Sequence, residues 1–218
     1  MARLKCAVVI SGRGSNLQAL IDACTAPSFP AEIVSVISDK ADAAGLKRAQ
    51  AAKIPDRFID PKKQGGRAGF ESALDAALEE SGAELVCLAG FMRVLSAGFV
   101  EKWRDKLINI HPSLLPAFPG LHTHQRAIEA GARLAGCTVH FVRSDVDSGP
   151  IILQAAVPVM PDDTPETLAD RVLATEHRIY PEAVRLIALG RIAVVDEVVR
   201  IDGVKPGETS LFNPVPGD

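Results

Sequence analysis

Residues 6–23, CAVVISGRGSNLQALIDA, decide the fold: an apolar run from Cys6 to Ile10, a turn carrying Gly12 and Gly14, then helical periodicity from Leu17 to Ala23. A strand that turns directly into a helix is half of a crossover unit, and crossovers join parallel strands because a tight hairpin cannot. The pattern recurs along the chain. Residues 32–37 (EIVSVI), 85–89 (LVCLA) and 107–110 (LINI) read as further buried strands, with helical spacing over 46–52, 66–81 and 96–102. The shorter, more polar run 56–59 suits a strand near a sheet edge. Working outward, 137–142 and 151–157 flank the loop RSDVDSGP as an antiparallel pair. Residues 165–189 form the longest helical pattern, opened by Thr164 as N-cap and Pro165 at the first turn. Pro181 is expected to kink or break it. From Ile192 apolar and polar residues alternate, and the chain closes in PVPGD, a composition expected to be mobile. The class is α/β, a mostly parallel sheet with an antiparallel portion toward the C-terminus.

The chain has 218 residues, 47% of them apolar, and is expected to form one domain. A formal net charge of -3 with no block of like charges argues against a nucleic-acid partner, so any anion must be held locally. The apolar stretch at the start is too short for a secretory signal, and no run approaches a membrane span. Cys6, Cys24, Cys87 and Cys137 are scattered without the paired spacing of a disulfide scaffold or zinc knuckle. These features imply a reduced cytoplasm and small-molecule partners; a monomer or homodimer is expected, and nothing in the sequence chooses between them.

Candidate chemistry concentrates in a few segments. In the turn 11–16, SGRGSN, glycines let the backbone approach a ligand, and the free N–H groups at the start of the helix attract an anion. Leu17 stands where a dinucleotide fingerprint needs its third glycine, and the Lys-Ser/Thr pair of a triphosphate loop is missing, so a small phosphorylated ligand fits better. In 107–116, LINIHPSLLP, strand alternation puts Asn109 and His111 on one face, and Pro112 halts the strand just after them. At the carboxyl end of a parallel strand that face opens onto the ligand crevice. A donor and a titratable base therefore arrive together. His111 wants a carboxylate partner, and Asp145 and Asp147 both qualify. His122 and His124, with Asp147, raise a metal hypothesis that structural hydrogen bonding or substrate contact explains better. His140 alternates into the same region, and Glu176 and His177 lie on the long helix.

Taken together, SGRGSN, LAGFMRVLS (88–96), LINIHPSLLPAFPGLHTH (107–124), VHFVRSDVDSGPII (139–152) and TEHRIYP (175–181) resemble the folate-dependent phosphoribosylglycinamide formyltransferases of purine synthesis, over nearly the whole chain. The resemblance implies a Rossmann-like twisted sheet, with a phosphate-binding half over 1–105, a catalytic and folate-binding half over 106–200, and a tail over 201–218. It implies 10-formyltetrahydrofolate as co-substrate, no metal, and Asn109, His111 and Asp147 as the catalytic trio. Gly14, Ser15 and Asn16 match the loop for the ribose phosphate, and Glu176 matches an acid beside the glycinamide. Met92, Arg93, Val94 and Leu95, with Arg67 and Asn109, match the folate pocket, while His140 and His122 stand in a second tier. The chain departs from the family pattern at Arg13 and Ser148, neither of which carries a catalytic side chain there. A formyltetrahydrofolate hydrolase is the nearest alternative, although it usually carries an extra amino-terminal domain. A methionyl-tRNA formyltransferase would need a further domain and a basic surface. A non-enzymatic nucleotide-binding module would leave Asn109, His111 and Asp147 unexplained.

Overall fold

The computed structural model describes residues 2–203 and Asn213; the closing PVPGD lies outside the described residues. A seven-stranded sheet runs in the order β3-β2-β1-β4-β5-β6-β7. Its strands are β1 (Leu4–Ile10), β2 (Ala31–Ser38), β3 (Asp56–Phe58), β4 (Leu85–Leu88), β5 (Leu107–His111), β6 (Leu134–Phe141) and β7 (Ile151–Pro158). The first five are parallel to one another, and β6 and β7 continue the sheet antiparallel.

Helices cover both faces, as they must when the central strands are apolar on both sides. On one face α1 (Ser15–Thr25), α2 (Ala44–Ala51) and α6 (Pro165–Ala188) pack against Val8, Ile10, Cys87, Ile108 and Val139. On the other, α3 (Arg67–Glu80) and α4 (Ala97–Lys102) pack against Ala7, Val9, Val86, Leu88 and Leu107. Adjacent residues of a strand fall into different cores, which is the strand alternation read directly in the packing. A short α5 (Thr123–Glu129) follows the proline-rich loop. The alternating stretch after Ile192 folds as a separate hairpin, β8 (Ile192–Val195) and β9 (Val198–Ile201), turning through Asp196 and Glu197, both at positive φ.

Pro181 does not break α6, which runs unbroken past it. Proline removes one internal hydrogen bond, but the helix is fixed by burial on both sides of that residue. Tyr180 is fully buried and its Oη donates to the Leu88 carbonyl at 2.9 Å, while Ala183 and Val184 sit in the core. Packing outweighs the local penalty.

The start of α6 is locked by charge as well as by its capping box, in which Thr164 accepts from the Thr167 N–H. Asp163 receives Arg171 through both guanidinium arms, at 2.7 and 2.8 Å, together with the Met160 N–H at 2.7 Å. The Arg171 guanidinium holds the Asp163 carboxyl well below the usual carboxylate range. A depressed folded value means that this stabilisation is present above the unfolded value near 4 and is lost as pH falls through the folded one. Asp163→Asn is therefore expected to cost about 1–2 kcal/mol at pH 7 and less below pH ~3, read from urea unfolding at the two pH values.

Candidate active site

β5 ends at the site. Asn109 and His111 project to the same side as Leu107, the α3/α4 face of the sheet, and Pro112 then stops the ladder. A cavity of about 470 Å³ opens there, lined by both side chains, by the 90–95 segment after β4, by His140 on β6, and by the 143–147 loop. That volume suits a small organic ligand.

His111 is caught between two acceptors. Its Nε2 donates to the Phe118 carbonyl at 3.1 Å, and its Nδ1 faces Asp147 Oδ2 at 3.4 Å. A neutral ring can donate to only one of them, whereas an imidazolium donates to both. The same Asp147 oxygen accepts the Gly120 N–H at 2.8 Å. Asp147 sits at φ 53, a left-handed conformation that aspartate tolerates better than most residues, and this turns its carboxylate inward. With side-chain exposures of 7% for His111 and 10% for Asp147, little water screens their attraction. Asp145, the other carboxylate in the loop, lines the cavity without such a contact to His111.

His140 lies directly across the ladder from Asn109. Its Nδ1 donates to the Phe141 carbonyl at 2.9 Å, which leaves Nε2 as an acceptor for the Asn109 amide at 3.3 Å. Burial pushes the His140 imidazole below its ordinary value, outweighing the opposing pull of that carbonyl and of Asp147. It is neutral at pH 7, as an accepting nitrogen must be. One Asn109 N–H is thereby committed and the other is left for a ligand in the cavity.

The glycine turn approaches the same region. Gly14 is left-handed at φ 69, and a Cβ on it would lie 2.7 Å from the Gly45 Cα, so the turn packs against α2 only because both positions lack side chains. Ser11 ties it to the cavity wall: its N–H donates to the Gly90 carbonyl at 3.2 Å and its hydroxyl accepts the Met92 N–H at 3.0 Å. Asn16 donates to Glu176 Oε2 at 2.7 Å, joining α1 to α6. Burial pushes the Glu176 carboxyl up, and the Asn16 bond only partly offsets it. Asn16 Oδ1 is buried with no partner among the described residues, an acceptor left over for a donor.

Met92, Arg93, Val94 and Leu95 all line the cavity, with Met92 and Val94 67% and 60% exposed at its mouth. Arg93 lies over the Phe70 ring at 5.0 Å and 3.9 Å from Asp39. Arg67 is not brought to the lining: it sits at the start of α3 with its Nε on Glu71 at 3.0 Å. His122 and His124 line the cavity, where burial and then nearby His111 push His124 below its ordinary value. Among the described residues no group of three His, Cys, Asp or Glu side chains is arranged to hold a metal ion, and no helix is long and apolar enough to cross a membrane. The Phe118 carbonyl and the Gly120 N–H escaped the sequence reading because backbone groups leave no residue-type signature. The Pro119-Gly120 dipeptide, a turn signal, was the available clue.

A parallel-sheet crevice that confronts a carboxamide donor with an imidazole facing a carboxylate, beside a glycine turn at a helix N-terminus, has the groups that an enzyme transferring a group at a carbonyl would use. Comparison with known proteins narrows that class. Residues 4–184 match the family described as formyl transferase, and the chain belongs to that family. It is 44% identical over 199 residues to the phosphoribosylglycinamide formyltransferase of Haemophilus influenzae, covering 91% of this chain and 94% of that one. It is 54% identical over 192 residues to the trifunctional purine biosynthetic protein adenosine-3 of Gallus gallus. That match covers 88% of this chain and 19% of the relative, so the chain spans about a fifth of the trifunctional protein's length. The crystal structure of glycinamide ribonucleotide transformylase 1 from Symbiobacterium toebii superposes with a TM-score of 0.89 at 50% identity, covering 91% of this chain and 94% of that one.

Proposed function

We propose that this chain transfers the formyl group of 10-formyltetrahydrofolate to the amine of glycinamide ribonucleotide, giving formylglycinamide ribonucleotide and tetrahydrofolate. The observation that carries the reading is the placement of His111, bonded to Phe118 and facing Asp147, beside Asn109 on one wall of the cavity. Family membership supports formyl as the group transferred, and the names of the relatives support the acceptor.

The residues have evident work in such a reaction. The neutral amine attacks the formyl carbon, a C–N bond forms, and the carbonyl electrons move onto oxygen. The free Asn109 N–H can donate to that oxygen. The attacking nitrogen must then lose a proton, and the folate nitrogen must gain one as its bond to the formyl carbon breaks. His111, as the neutral ring with one nitrogen turned from its loop acceptor, can take the amine's proton and, paired with Asp147, hand it to the folate nitrogen, with water filling any gap. Side chains from two parts of the chain divide the labour. Residues 1–105 supply the turn Gly14-Ser15-Asn16 for the ribose phosphate and Met92 to Leu95 for the folate, while Arg67 lies outside the cavity lining. Residues 106–200 supply the trio and Glu176, whose carboxyl would meet the acceptor amine, with His140 holding Asn109.

Purified protein mixed with 10-formyltetrahydrofolate should release tetrahydrofolate only when glycinamide ribonucleotide is added. Release without the acceptor would mean a hydrolase, and no release would leave a binding module. Asn16→Asp is expected to raise KM for the ribonucleotide at least about tenfold with a smaller change for the folate, since a second carboxylate would then face both Glu176 and the phosphate. An unchanged KM would remove that turn from the acceptor site.

A further inference from the structure

The Pro119–Gly120 peptide is gripped at both ends. Its N–H donates to Asp147 Oδ2 at 2.8 Å, and its carbonyl accepts from Arg126 Nη1 at 2.6 Å. The same Arg126 nitrogen lies 3.4 Å from the Leu121 carbonyl, so one guanidinium spans the carbonyls on either side of Gly120. It also lies over the Phe118 ring, 5.6 Å from its centre, and the Phe118 carbonyl is the acceptor for His111 Nε2. Arg126 belongs to α5 and takes no part in lining the cavity.

This stretch needs a brace. Phe118, Gly120 and His122 are all in the left-handed region, at φ 52, 78 and 56, and the two that are not glycine adopt it only where their surroundings compel it. A cation on the carbonyl oxygen also draws electron density through the peptide, which makes the N–H at its other end a stronger donor to Asp147. We infer that Arg126 is a positioning residue: it clamps the Pro119–Gly120 peptide, and through it holds Asp147 against His111, so that the rate of transfer depends on a side chain that touches neither substrate. The kinetic half of this inference rests on the formyl-transfer reading above, and the structural half does not.

The test uses Arg126→Gln and Arg126→Lys in the full chain, followed by steady-state kinetics and by amide hydrogen exchange at Gly120 without ligands. The glutamine variant should lose on the order of tenfold in kcat with each KM changed less than about twofold, as expected when reacting groups are slightly misplaced. Lysine, which keeps a cationic donor for the Pro119 carbonyl, should restore part of that loss. Gly120 should exchange at least about tenfold faster in the glutamine variant while amides in β5 keep their protection. Gly120 exchange and kcat both within twofold of the parent protein would overturn the inference, as would faster exchange spread through β5 with a general loss of stability. Faster exchange confined to Gly120 with unchanged kcat would overturn its kinetic half. If the parent protein transfers no formyl group but Gly120 still loosens, the clamp stands and the functional reading falls.

Discussion

Replacing His111 with asparagine is expected to lower kcat by roughly 10²–10⁴-fold, the range over which a positioned acid–base group acts. Asparagine is close in size and keeps a donor, so the fold and the cavity should survive. What disappears is the capacity to hold a proton between the Asp147 carboxylate at 3.4 Å and the Phe118 carbonyl at 3.1 Å and to release it to the departing folate. KM for both substrates should stay within about threefold, because His111 acts mainly after they are bound. Steady-state rates with both substrates at saturation check this. Turnover near that of the parent protein would remove His111 from the proton path.

Asn109→Ala is expected to cost roughly 10²–10³-fold in kcat, the usual loss when one donor to a developing oxyanion is removed. The donor here is prepared in advance. His140, neutral because it is buried, takes one amide hydrogen and fixes the direction of the other. The alanine variant leaves His140 Nε2 without that partner, so a modest loss of stability should accompany the kinetic defect. Measuring kcat alongside urea unfolding separates the two: a rate loss that merely tracks unfolding would contradict the oxyanion role.

Much of the architecture was legible because it rests on local patterns. The run Cys6 to Ile10 and the helix behind it, the polar edge strand at 56–58, and the antiparallel pair around 143–150 follow from periodicity and turn chemistry alone. Pro181 misled for a physical reason: the penalty for proline is local, while Tyr180 and Ala183 anchor the helix through distant contacts. The hairpin after Ile192 showed its alternation but not its turn, since Asp196 and Glu197 adopt positive φ without a glycine to signal it.

The site was legible where side chains alternate in register. Asn109 and His111 share a face because a strand has period two, and sequence could go that far. It could not choose between Asp145 and Asp147 from spacing, because the choice depends on a left-handed backbone at 147 and on the Gly120 N–H, which comes from 27 residues earlier in the chain. The link between Asn16 and Glu176 spans 160 residues and has no local trace at all.

The claim on which the chemistry depends is that His111 and Asp147 act as one unit. The direct measurement is a double-mutant cycle on kcat with His111→Asn, Asp147→Asn and the combined variant. Groups that act together lose their joint contribution when either is removed. The combined variant should therefore be no more than about threefold slower than His111→Asn alone. A combined loss equal to the product of the two single losses would mean that the carboxylate and the imidazole work independently, and would contradict the mechanism.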